Sequence, residues 1–453
     1  MITSSKYSIF FMALVTAVLL GACGCEKPKD GPDKPQPQDT TVVEPEDLIW
    51  SGKPSFNVPV ANAEAEEARI PILIRITTDL KQLALEIADT MTVAGNTEAN
   101  YVATPSEKMA PGFYRAMCLV NNKNVRTFNF GVDPFDIVSA PDMQSDYTAY
   151  WQTAKDQLAA VDMNAVLTEI TANSSATRKV YLVEMYSVPD GLSGEPVKIR
   201  GYYCEPTDGE KHPVLVHFYG YDTQGSKSKC ECPSGGNSKY AEFYLSHRGQ
   251  YLNNRPATTH NPGIDEDCEN IYGDWFAYHF GDKGSYYYRG AFMDAVQAVR
   301  FMATRETSDM TKLFAEGSSQ GGALCYAAAG LSDIPFTAIT PNVAFLGDFP
   351  DYFKIVDWPG STAKAAAKAA GMSTDEMYAF LSYYDTKNLA TRISCAVLAT
   401  SGLKDGTCPP HTNIAPYNLI NNPQSEYHFY PNMTHDYPKN WYSMIEQFRQ
   451  KFL

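Results

Sequence analysis

The chain has 453 residues, 44% hydrophobic and 20% charged. At roughly 100–200 residues per domain that is two or three folded parts, and the composition excludes bulk disorder. Against 52 acidic side chains stand 37 Lys and Arg, a net charge of −15. This argues against binding nucleic acid, which requires a basic surface to meet the phosphates. The long apolar run is N-terminal, which excludes a polytopic membrane protein.

That run, Ser8 to Ala22, is too short for the roughly 20 residues of a membrane span and suits a signal-peptide core. It ends Leu20-Gly21-Ala22-Cys23, which resembles the lipobox of bacterial lipoproteins. The expectation is a leader over 1–22, acylation of Cys23, and a Pro-rich tether over 23–47. The protein is then an exported bacterial lipoprotein, in the periplasm or on the outer-membrane surface, touching membrane through its lipid anchor only. Cys230, Cys232 and Cys268 share one region and allow one local disulfide or none. Their spacing, with no clustered His, predicts no zinc or other metal.

Residues 48–137 read as short strands. Arg69 to Thr77 is β-branched, and Phe113–Val120 and Val125–Val132 flank Asn121-Asn122-Lys123-Asn124 as a hairpin. A small β-sandwich without catalytic residues is expected, packed on the second domain. From about 138 the pattern changes. A helix is predicted over Tyr147–Leu167, with Tyr147, Tyr150, Trp151, Ala154 and Leu158 on one stripe. Strands follow at Val180–Val188, Val197–Cys204 and Pro213–Tyr219, then alternate with helices to the end. This predicts an α/β domain with a mostly parallel sheet flanked by helices over 138–453.

Strand Lys312–Glu316 runs into Gly317-Ser318-Ser319-Gln320-Gly321-Gly322 and then a helix-forming stretch. G-x-S-x-G between strand and helix is the nucleophile elbow of the α/β-hydrolase fold, so Ser319 is the candidate nucleophile. A serine hydroxyl needs a base, and the base an orienting acid, in the order Ser, Asp or Glu, His. Of the downstream histidines, His428 sits in a strand and His411 at a helix start, whereas His435 lies in the loop after the last strand. Asp405 follows strand Cys395–Thr400 and is preferred over Asp385, which reads as a turn or helix cap. The oxyanion hole is assigned to the backbone N–H groups of Gln320 and Tyr221, the latter in the loop after strand Pro213–Tyr219.

With these residues in place, the sequence resembles the acetyl xylan esterase and cephalosporin-C deacetylase family, carbohydrate esterase family seven. The matching segments are Gly220-Tyr221-Asp222, Arg248-Gly249-Gln250, Tyr286-Tyr287-Tyr288-Arg289-Gly290, the elbow, and Gly402-Leu403-Lys404-Asp405 with Cys408-Pro409-Pro410. The resemblance covers about 140–453. It implies deacetylation of acetylated xylo-oligosaccharides or related carbohydrates without cofactor, and a homo-oligomer. Tyr221, Trp275 and Tyr286 are expected to build a small acyl pocket, and Arg248 a structural ion pair. The chain departs from the family pattern with Asp436 after His435, where the family has Glu, and with Tyr219 where it has His. Two further readings compete: a serine peptidase of the prolyl-oligopeptidase type, and a non-catalytic glycan-binding surface lipoprotein.

Overall fold

The computed structural model describes residues 41–191, 193–224, 228–233, 238–252 and 271–453. The expected leader, Cys23, most of the tether and Cys268 lie outside the described residues.

The N-terminal part is made of β1 (Ile49–Trp50), β2 (Phe56–Asn62), β3 (Ala68–Thr78), β4 (Leu83–Val93), β5 (Thr97–Ala103), β6 (Gly112–Val120) and β7 (Lys123–Val132). A sheet ordered β1-β7-β6-β3-β4 packs on the β2-β5 pair. β2 and β3 alternate buried and outward residues, so Phe56, Val58, Val60, Ile72, Ile74 and Ile76 meet Phe130 in one core. The β6–β7 turn is tighter than the sequence suggested. Asn121 and Asn122 adopt φ of 48° and 62°, and pairing resumes at once with Val120 opposite Lys123. Two left-handed residues match the twist of a hairpin, and Asn tolerates that conformation. The end of the expected tether is also docked: Glu44 forms a two-pronged ion pair with Arg126 (2.6 Å), and Val42 donates to Asn57 Oδ1.

The larger part begins with α1 (Tyr147–Ala160), whose buried stripe is Tyr147, Trp151, Ala154 and Leu158. This helix ends earlier than its pattern implied, because Val166–Glu169 turns into an edge strand, β8. There follow β9 (Arg178–Pro189), β10 (Pro196–Pro206), β11 (His212–Phe218), β12 (Ala241–Ser246), α2 (Tyr287–Ala303), β13 (Ser308–Ser318), α3 (Gln320–Leu331) and β14 (Ala338–Asn342). Next are α4 (Phe349–Ile355), α5 (Gly360–Ala369), α6 (Thr374–Leu381), α7 (Thr386–Ala390), β15 (Ala396–Gly402), α8 (Pro410–Asn418), β16 (Glu426–Tyr430) and α9 (Trp441–Gln450).

The strands form one sheet in the order β16-β15-β14-β13-β11-β12-β10-β9-β8. Strands β12, β11, β13, β14, β15 and β16 run parallel, and β8 to β10 add an antiparallel flank. All seven residues of β15 are buried, because helices cover both faces of a parallel sheet.

The described residues pack as one unit. Phe113 of the β-rich part joins Ile137, Leu403, Ile414 and Phe429 in a shared apolar cluster, and Asn129 Nδ2 donates to the Leu403 carbonyl (2.6 Å).

The central strands also carry a partly buried ionic group. His217 and Glu316 face each other across β11 and β13, with Nδ1 2.9 Å from Oε1, and His217 Nε2 is 3.2 Å from Glu242. Arg449 donates to the other oxygen of Glu316 (2.7 Å). Against the desolvation that burial imposes on both charges, the carboxylates raise the His217 pKa to about 9, and His217 with Arg449 holds Glu316 down to about 2.

Candidate active site

β13 runs straight into α3 through Ser319, whose backbone sits at φ 58° and ψ −120°. Side chains with a Cβ rarely adopt that conformation. The flanking glycines are required for space. A Cβ on Gly317 would lie 2.4 Å from the Gly321 backbone, and one on Gly321 would lie 2.4 Å from the Phe218 carbonyl oxygen. The turn can therefore close only with hydrogen atoms at those positions.

Asp405 follows β15 and His435 follows β16. His435 Nδ1 stands 2.8 Å from Asp405 Oδ2, and Asp405 Oδ1 accepts the N–H groups of Thr407 and Cys408, both at 2.8 Å. Asp405 is 5% exposed. Its carboxylate is thus locked by two backbone donors with one oxygen aimed at the imidazole, which leaves Nε2 as the working nitrogen. Ser319 and His435 line one cavity of about 510 Å³ with Tyr219, Gly220, Tyr221 and Tyr437. Among the described residues no hydrogen bond joins Ser319 Oγ to His435; the hydroxyl neighbours the buried Cys408 thiol. Catalytic hydrogen bonds are often long in unliganded enzymes and tighten when substrate is bound.

Gln320 opens α3, so its N–H has no acceptor within the helix. Its side chain is fixed by a chain of buried donors. Tyr288 donates to Gln320 Oε1 (2.8 Å), Gln320 Nε2 donates to His247 Nε2 (3.0 Å), His247 Nδ1 lies 3.0 Å from Tyr287 Oη, and Tyr287 donates to the Arg248 carbonyl (2.7 Å). Burial lowers the His247 pKa to about 4, so the ring is neutral and can accept from Gln320. Tyr221 reaches the same cavity from the loop after β11, and its hydroxyl donates to Asp274 (3.0 Å).

Trp275 and Tyr286 are placed differently from the expectation. They are 0% and 1% exposed and do not line the cavity that holds Ser319. Trp275 packs edge-on behind Tyr221 at 5.1 Å and stacks on Tyr287, while Tyr286 donates to the Phe276 carbonyl. Their large apolar rings were drawn into the core: Trp275 backs the wall through Tyr221, and Tyr286 packs among Phe280, Phe380 and Tyr384. Arg248 pairs through two prongs with Asp294, both at 2.8 Å, with the ion pair buried. A Cβ on Gly290 would sit 2.1 Å from that guanidinium, which gives the tyrosine-rich helix start its terminal glycine. Asp385 caps α7 and accepts from Lys387, Asp348 and Phe349 N–H groups, consistent with its reading as a cap.

Sequence reasoning missed Asn342. At the end of β14, its amide donates to Ser318 Oγ (2.8 Å) and to the Asp436 carbonyl (3.1 Å), and its oxygen accepts from Thr400. One side chain therefore ties the elbow to the His435 loop and to the Asp405 strand. Its position at the carboxyl end of the strand beside the elbow was the available signal.

The family described as acetyl xylan esterase (AXE1) matches residues 137–452. The acetyl esterase Axe7A of Xylanibacter ruminicola is 25% identical over 327 residues, covering 69% of each chain. An acetyl xylan esterase from Paenibacillus sp. R4 superposes with a TM-score of 0.57 at 25% identity, covering 70% of this chain and 98% of that one. Acetyl xylan esterase 1 from Thermoanaerobacterium sp. JW/SL YS485 gives a TM-score of 0.55 at 22% identity, covering 70% and 96%, and supports the fold.

Proposed function

The chain belongs to the acetyl xylan esterase family and is a carboxylic ester hydrolase; from that premise we propose that it removes acetyl groups from acetylated xylo-oligosaccharides or related carbohydrates through Ser319, His435 and Asp405. Ser319 Oγ attacks the acetyl carbonyl while His435 Nε2 takes its proton. Asp405 keeps the other nitrogen protonated and stabilises the imidazolium. The Gln320 and Tyr221 amides hold the oxyanion, each such donor being worth about 100- to 1,000-fold in turnover. His435 then protonates the departing sugar hydroxyl, and water, activated by the same imidazole, releases acetate.

The observation that carries this reading is the 2.8 Å His435–Asp405 pairing at the rim of a cavity shared with Ser319. The leader and Cys23 suggest that the enzyme works as an exported lipoprotein. Acetate release from acetylated xylo-oligosaccharides is the test, alongside aminoacyl amides and a serine-reactive fluorophosphonate. Wild type should release acetate and be labelled, and Ser319→Ala should do neither. Cleavage of the amides instead would favour the peptidase, and absence of labelling in both proteins would favour the binding lipoprotein.

A further inference from the structure

Where the β-rich part meets the esterase part, charged side chains from three separate segments converge. Asp79 comes from the β3–β4 connection, Asp348 precedes α4, Asp351 lies within it, and His411 is the second residue of α8. Each of the latter two aspartates gives one oxygen to a lysine. Lys387 donates to Asp348 Oδ1 (3.0 Å) and Lys354 to Asp351 Oδ1 (2.7 Å). The second oxygens turn inward, 3.7 Å and 3.4 Å from His411 Nε2. The other ring nitrogen, Nδ1, lies 3.2 Å from Asp79 Oδ2.

The inward atoms are unsatisfied. Asp348 Oδ2 and His411 Nε2 are buried without a hydrogen-bond partner, and Asp348 is 3% exposed. Buried orphans of this kind call for an explanation, and an ion is one. Asp79, Asp348 and Asp351, with Asp142 as a fourth carboxylate on Lys387 (3.3 Å), face two lysines, so positive charge is missing. A proton on His411 supplies one charge and leaves Asp348 Oδ2 at 3.7 Å, beyond hydrogen-bond reach. A cation held by all three groups satisfies them together. Their ligand atoms lie within 4.8 Å of one another, and ligands bound at about 2.0–2.2 Å in a tetrahedral shell stand about 3.4 Å apart.

We propose that Asp348, Asp351 and His411 bind a divalent transition-metal cation of the zinc or manganese type, with Asp79 of the β-rich part orienting the imidazole. One nitrogen and two carboxylate ligands suit such ions better than calcium or magnesium, and a carboxylate on the second imidazole nitrogen is the usual support of a metal-bound histidine. The site is structural. It pins the start of α8, which directly follows the loop whose amides hold Asp405, to the β-rich part.

The test uses the full chain, stripped with a chelator and dialysed, then titrated calorimetrically with Zn2+ and with Mn2+. Wild type should bind one ion per chain at micromolar or tighter affinity, with a melting temperature raised by several degrees. Asp351→Asn, at the half-exposed rim, and His411→Gln should each weaken binding at least tenfold while the stripped proteins keep the wild-type circular dichroism. Should His411→Gln fail to fold, Asp351→Asn carries the test. Absence of stoichiometric binding by wild type would overturn the proposal. So would undiminished binding in Asp351→Asn, which would place the ion elsewhere, for example at the cysteines.

Discussion

The two β structures of this molecule obey one rule of alternation and reach opposite ends. In the β-rich part the strands β4, β3, β6 and β7 pair antiparallel, with β1 alone added parallel, so successive carboxyl ends fall on alternate edges. In the larger sheet six strands run parallel, and every one delivers its carboxyl end to the same edge. Tyr221 after β11, Ser319 after β13, Asp405 after β15 and His435 after β16 therefore meet, although long stretches of sequence separate them. The difference teaches that strand direction concentrates chemistry, a general property of open α/β sheets.

Substitutions can break this contrast. Asp405→Asn removes the acceptor that fixes the His435 tautomer, and turnover of an acetyl ester should fall by about 10⁴-fold with the fold intact. Phe113→Ala acts from the antiparallel side. It opens a cavity in the cluster with Leu403 and Phe429, and denaturant unfolding should register a loss of about 3 kcal/mol. Its turnover should fall far less than that of Asp405→Asn; an equal loss at unchanged stability would show that the β-rich part takes part in the chemistry itself.

A subtler probe is the pH dependence of the partly buried His217 pair. Its folded pKa of about 9 exceeds the ordinary 6.5, so the stabilisation is complete below 6.5 and lost as pH rises through 9. Glu316, held near 2, keeps its contribution until strongly acid conditions. Melting temperatures from pH 6.5 to 10 should decline for wild type and lose that component of the decline in His217→Gln.

Much of the central sheet was legible because buried parallel strands are continuous apolar runs, and Ser319 because an elbow needs glycines at fixed offsets. The pairing of Asp405 with His435 followed from the order of strands. What escaped the sequence depended on packing. An aromatic ring reads alike whether it walls a cavity or fills a core, so Trp275 and Tyr286 were assigned to the pocket and lie in the core. The end of α1 was misplaced because Val166 and Leu167 extended an apolar pattern that the chain uses for an edge strand. Asn342 carried no signal beyond its place at a strand end, and the cluster of Asp79, Asp348, Asp351 and His411 has no local signature, since its members come from distant segments.

The left-handed turn at Ser319 sets folding and reactivity against each other at a single residue. An unusual backbone conformation of this kind costs on the order of 1–3 kcal/mol, held in place by the packing around it. Exchanging Ser319 for glycine would release that tension while deleting the oxygen proposed to attack, so the substituted protein should outlast the wild type on heating. The molecule gives up part of its endurance to keep one hydroxyl presented to solvent.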